Sequence, residues 1–113
     1  MRSTRHAKPK PNGPAPVFAA LGDTTRLALV VRLSKRGPRS ISELTAGSAI
    51  TRQAVTKHLH VLQHAGLVRC TPRGRERIWE LEARRLEDAR RYLAEISNHW
   101  DAALERLKKF VEG

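Results

Sequence analysis

The C-terminal third of the chain sets the tightest constraint on what it can fold into. Leu86, Ala89, Leu93, Ile96, Trp100, Ala103, Leu107 and Phe110 recur at intervals of 3, 4, 3, 4, 3, 4 and 3. That alternation is the a/d seam of one long helix, about 83–111. An isolated helix gains too little from its own hydrogen bonds to hold such a stripe in water. The seam is therefore coiled-coil-like and calls for another polypeptide to cover it, a second copy being the simplest. With 113 residues in all, what precedes it has room for one small domain.

Charge divides the chain in a second way. The 22 Lys+Arg and 11 Asp+Glu leave a formal charge of +11. Residues 1–16 hold four basic groups and no acid, residues 17–81 hold 11 basic and 4 acidic, and residues 82–113 hold 7 of each. The excess is thus confined to the first two thirds, and it points to a polyanionic partner, nucleic acid above all. Apolar residues make up 40% of the chain, enough for a core. Apolar runs such as Leu27 to Val31 are far too short to span a membrane. Arg2 to Pro16 carries no apolar segment of the secretory type, and Cys70 has no second cysteine to pair with. These features predict a cytoplasmic protein with no membrane partner.

Residues 1–16, with Pro9, Pro11, Pro14 and Pro16 around Gly13, read as a disordered basic tail, and 17–113 as the folded domain. Val17 to Leu21 is a short apolar segment that Gly22 can end. Asp23 suits an N-cap for a helix through Leu27 to Leu33, which is apolar nearly all round and hence expected to be buried. Lys35, Arg36 and Gly37–Pro38 close it. Ser42 begins a short helix to about Ala46. Thr51 caps a third that runs from Arg52 to His64 and stops at Ala65–Gly66. Two helices across a turn of about four residues make a helix-turn-helix. Leu67 to Thr71 and Arg77 to Leu81 then form a hairpin around Gly74, with Pro72 on an edge strand and Trp79 and Leu81 on the core side.

Helix 52–64 carries the chemistry. Turning about 100° per residue brings Arg52, Thr56, His60, Gln53 and Lys57 onto one arc, and Ala54, Val55, Leu59, Leu62 and Ala65 onto the opposite one. Arg and Gln suit the bidentate edges of guanine and adenine. Thr56, Lys57 and the amides beside Thr51 suit phosphate. His58 falls within the apolar arc, where packing suits it better than base reading, and is kept as a DNA contact at the margin of this surface. At the hairpin tip, Arg73, Arg75 and Arg77 flank Gly74, and guanidinium groups on a narrow ribbon suit the negative potential of a minor groove.

In order along the chain, Ala20–Leu21–Gly22–Asp23–Thr24–Thr25–Arg26–Leu27, Ile41–Ser42–Glu43–Leu44, Val55–Thr56–Lys57–His58–Leu59, Leu62–Gln63–His64–Ala65–Gly66–Leu67–Val68 and the hairpin Arg73 to Leu81 resemble the ArsR/SmtB family of winged-helix repressors. The likeness spans 17–112. It implies a mainly α fold with a small β-hairpin: a winged helix-turn-helix of five helices and a two-stranded wing. It also implies a homodimer joined through its terminal helices, with Phe18 and Leu21 beside the long seam, that represses its own operon from an inverted-repeat operator in double-stranded DNA. Thr24 stands where the family usually has proline. The family's metal-sensing ligands are missing. Glu43–Leu44–Thr45–Ala46 replaces the cysteine pair, and Asp88 is followed by Arg90 rather than by histidine, with only His99 beyond. His60 and His64, four residues apart, lack a third ligand. No metal and no cofactor is expected, and an inducer, if one acts, is not named by these residues.

Other classes fare less well. There is no Gly-x-Ser-x-Gly, P-loop or dinucleotide fingerprint, so catalysis is not expected. The alternative is a basic winged-helix protein that binds DNA or RNA architecturally, without strong sequence preference. Against it, Gln53 and Thr56 beside Arg52 are more than a non-specific binder needs. The seam would also serve a heterodimer.

Overall fold

The computed structural model describes residues 13–113. It holds five helices and a three-stranded sheet, in the order α1 (Pro14–Leu21), α2 (Thr24–Arg36), β1 (Arg39–Ser40), α3 (Ile41–Thr45), α4 (Arg52–His64), β2 (Val68–Arg73), β3 (Glu76–Leu81) and α5 (Ala83–Glu112). The tail expected over 1–16 lies outside the described residues except at its end, where the boundary moves. Pro14 and Pro16 do not exclude a helix but open α1. In a first turn the backbone N–H has no intrahelical acceptor, so proline costs nothing there.

Local chemistry fixes the other ends. Asp23 Oδ2 accepts from Arg26 N at 3.0 Å and starts α2. The cap of α3 is Ser40, not Ser42: Ser40 Oγ accepts from Glu43 N at 3.2 Å, and Ser40 N donates to Glu43 Oε1 at 2.9 Å. This reciprocal pair is the capping box that Ser-x-x-Glu encodes. Thr51 Oγ1 accepts from Ala54 N at 3.1 Å and starts α4 where expected. Gly66 ends it with φ of 81°, and a Cβ there would lie 3.1 Å from Arg85 Nε. Both the left-handed backbone and the close approach of Arg85 call for glycine at this position.

The sheet order is β1-β3-β2, all antiparallel, with Cys70 opposite Trp79 and Arg73 opposite Glu76. Gly74, φ 62°, and Arg75 form the two-residue tip, a connection that favours positive φ. Pro72 sits on β2, the edge strand, as its missing donor requires. The two-residue β1 adds a strand to the expected hairpin and ties the start of α3 to β3 through Ser40 and Ile78.

One core joins these elements. Leu29, Val30 and Leu33 of α2, Leu44 of α3, Val55, Leu59 and Leu62 of α4, Leu67, Val68, Trp79, and Val17 and Ala20 of α1 are buried together. The expectation that α2 is buried all round is corrected: Leu27 and Val31 are 47% and 43% exposed. α1, α4 and β3 pack on α2, Arg32 ties it to α3 through Leu44 O and Glu43 O, and Leu27 and Val31 are left exposed.

α5 begins on the core and leaves it. Ala89 is 6% exposed and Leu86 packs on the core. Ala89 is thus filled within the chain and Leu86 is partly covered there, so the uncovered stretch of the seam begins at Leu93. Phe18 lies 6.0 Å from the Tyr92 ring. From residue 90 onward every position except Ala103 is exposed, and Leu93, Ile96, Trp100, Leu107 and Phe110 stand in solvent.

Candidate nucleic-acid interface

α3 and α4, joined by residues 46–51, form the helix-turn-helix, with a connection longer than the four residues expected. The spacing of Val55, Leu59 and Leu62 buries one side of α4 in the core and so orients the other side outward. Arg52, Gln53, Lys57 and His60 are exposed on it and Thr56 is half-buried.

Two of these side chains are held in place. Arg52 Nη1 donates to Ser42 Oγ at 3.2 Å, which lays its guanidinium over α3. Thr56 Oγ1 donates to Arg52 O at 2.8 Å, so its proton is used within the helix and its lone pairs face outward. The His60 ring lies 5.9 Å from that of Trp79, tilted by 54°. Gln53 and Lys57 project beside them.

His58 stands apart from this surface. Its Nδ1 is 3.4 Å from Arg26 Nη1 and 3.9 Å from Asp23 Oδ2, and Arg26 Nε donates to Ala20 O at 2.6 Å. The ring thereby sets α4 against the start of α2, and Arg26 carries the link on to α1. The Arg26 backbone hydrogen bond, with the charges of Arg26 and His58, holds the Asp23 carboxyl below the ordinary aspartate range.

The wing divides its arginines between two faces. Side chains alternate along β3, so Arg77 shares a face with Trp79, and Arg77 Nη1 reaches Cys70 Sγ at 4.0 Å across the hairpin. Arg75, Arg77, Arg52 and His60 border a single cleft between wing and α4. Arg73 alternates to the other side, with Arg69. There Arg69 is paired with Glu80 at 3.0 Å and Glu82 at 3.1 Å. The outer base of the wing is thus neutralised. Arg52, Lys57, Arg75 and Arg77 form no ion pair among the described residues. Uncompensated cations around a concave surface concentrate positive potential there.

Sequence reasoning missed Ser40, Ile41 and Gln63, which line this cleft. The signal for Ser40 and Ile41 was the Ser-x-x-Glu box at the start of α3, and Gln63 lies on α4 itself. It also missed Tyr92 and Leu104 on the exposed side of α5. Among the described residues no three His, Cys, Asp or Glu side chains gather as a metal site would need. No described helix is long and apolar enough to cross a membrane.

A helix-turn-helix that presents a polar, cationic second helix, flanked by a basic hairpin, defines a winged helix-turn-helix DNA-binding protein. Residues 21–71 match a family model described as a helix-turn-helix domain. Over 99 residues, 88% of this chain and 89% of the relative, the sequence is 33% identical to the HTH-type transcriptional regulator Rv2034 of Mycobacterium tuberculosis. The chain belongs to the ArsR-like family of helix-turn-helix transcriptional regulators. An ArsR-like transcriptional regulator from Rhodococcus sp. RHA1 has a similar solved structure, with a TM-score of 0.74 and 36% identity over 86% of this chain and 91% of that one. A further relative is the uncharacterized HTH-type transcriptional regulator YuzN of Bacillus subtilis, 43% identical over 68 residues, 55% of this chain and 74% of that protein.

Proposed function

We propose that the protein is a homodimeric repressor acting in the cytoplasm on an inverted-repeat operator, its own operon included. α4 enters the major groove and the wing meets the flanking minor groove. The observation that carries this reading is the outward face of α4. Arg52, Gln53 and Lys57 are exposed on one side of the helix, Arg52 borders the same cleft as Arg75 and Arg77, and no acid is paired to Arg52, Lys57, Arg75 or Arg77 among the described residues. Arg52 and Gln53 offer bidentate donor and acceptor patterns to base edges. Lys57, Thr51, Thr56 and His60 are placed for phosphates and neighbouring edges. The amides at the start of α4 add a cationic end to the same surface. Arg73, Gly74, Arg75 and Arg77 form a thin ribbon whose glycine lets the backbone come close to the sugar-phosphate wall.

Dimerisation supplies the second half of the operator. The exposed stripe Leu93, Ile96, Trp100, Leu107 and Phe110 on α5, together with Phe18 and Leu21 of α1, is the surface that a second copy covers. The dimer's two-fold axis then sets the spacing of the half-sites, about 34–36 Å or one helical turn for a pair that reads adjacent major grooves. Selecting bound duplexes from a random pool tests the reading. An enriched palindrome is expected, with two half-sites in fixed spacing. Recovery of bound duplexes with no shared motif would replace it with an architectural role.

A further inference from the structure

Beside the DNA-reading face lies a feature that DNA contact does not need. The cleft between α4 and the wing has a volume of about 570 Å³, within the range of small-molecule sites. Its exposed border carries Arg52, His60, Arg75 and Arg77, with Glu76 the one acid. Its covered wall is Ile41, Cys70 and Trp79. Trp79 is 3% exposed, and its Nε1–H is buried with no acceptor among the described residues. A buried indole N–H without a partner carries an unmet desolvation cost. Phosphates would engage the border arginines and leave the apolar wall unused.

We propose that this cleft is a binding site for a small planar organic anion, of the aromatic carboxylate class, and that its occupant releases the protein from DNA. The carboxylate lies on the guanidinium groups of Arg75 and Arg77. The flat body lies over the apolar wall that Ile41, Cys70 and Trp79 give the cleft, beside the Trp79 indole. Release follows from shared residues, since the ligand and the DNA both engage Arg75 and Arg77, and the occupant fills the cleft that Arg52 and His60 border. This mechanism rests on the DNA reading proposed above, and it needs no change at the α5 seam.

The test uses the full chain, 15N-labelled, with 2-naphthoate as the probe and uncharged 2-naphthamide as its isostere. The two indole N–H resonances, of Trp79 and Trp100, are assigned with Trp79→Phe. Expected is a saturable shift of the Trp79 resonance with half-saturation at or below about 1 mM, no matching shift of Trp100, and no response to the amide. The double variant Arg75→Ala/Arg77→Ala should lose the response, with its fold checked by circular dichroism. At matched ionic strength, naphthoate at ten times half-saturation should raise the apparent Kd for the selected operator about tenfold. Trp79→Phe should bind that operator as the parent does and resist release.

A silent Trp79 resonance, equal shifts of both indoles, or an equal response to the amide would each overturn the site. A Trp79 shift without loss of DNA affinity would overturn the release mechanism. The resonance measurement involves no DNA, so failure of the DNA reading would leave the site standing and be recognised separately.

Discussion

Ile96→Asp should separate the dimer without unfolding the protomer. Ile96 is 49% exposed in the single chain and is not part of the core cluster, so the substitution leaves the folded domain intact. Fully burying an isoleucine is worth about 1.5–3 kcal/mol. Covering the exposed half therefore contributes about 1 kcal/mol per copy, about 2 kcal/mol for both. Aspartate forfeits that and sets a carboxylate among the apolar side chains of Leu93 and Trp100, at a further cost of about 1–3 kcal/mol per copy. The sum, about 4–8 kcal/mol, raises the dimer dissociation constant at least about a thousandfold. Sedimentation velocity across a concentration series measures it, with circular dichroism as the check on folding. Asn98→Asp is the control. Asn98 is exposed, two residues on from Ile96 and so about 200° round the helix, on the side of α5 away from the seam. It gains the same negative charge. A dimer unchanged by Ile96→Asp, or one split equally by Asn98→Asp, would refute the assignment of this face.

Arg52→Ala and Gln53→Ala should each cost about 1–3 kcal/mol in binding to the selected operator and much less on random duplex, measured by anisotropy. Arg75→Ala should weaken both duplexes alike and lower the slope of log K against log salt by about one. Acid unfolding of Asp23→Asn beside the parent tests the cap of α2. The Asp23 pKa is lowered in the folded state, first by the Arg26 backbone hydrogen bond. Its contribution is therefore complete above the unfolded value of about 3.9 and is lost as pH falls through the lower folded value. The parent's advantage over the asparagine variant should shrink across that window and be constant from there to neutral pH.

Elements whose local chemistry agrees with their environment were legible in the sequence. α4 spans Arg52–His64 with Thr51 as its cap, because one strong apolar period, a capping residue and a terminal glycine all point to the same ends. The hairpin was legible from Gly74 between two β-prone runs. The start of α1 was not, since Pro14 and Pro16 occupy its first turn, the one place in a helix where proline is tolerated. β1 has two residues, too few to show any period. The exposed side of α2 was misread because a run of apolar residues does not say how many neighbours the fold will supply. Periodicity marked the α5 seam but could not say where the core ends. The protomer fills Ala89, partly covers Leu86, and leaves Leu93 onward uncovered. For the candidate site, the face of α4 followed from the helical period alone. Which wing arginines turn toward it required the strand register, and the place of His58 required the position of Asp23 and Arg26.

The most direct test of the central claim is a fluorescence anisotropy titration of the protein against its own upstream DNA and a scrambled duplex of equal length, repeated at several salt concentrations. A sequence-reading repressor should prefer the upstream DNA by about a thousandfold or more, and keep that preference as salt weakens both affinities. Equal affinities that fall together with salt would contradict base reading by α4 at that DNA.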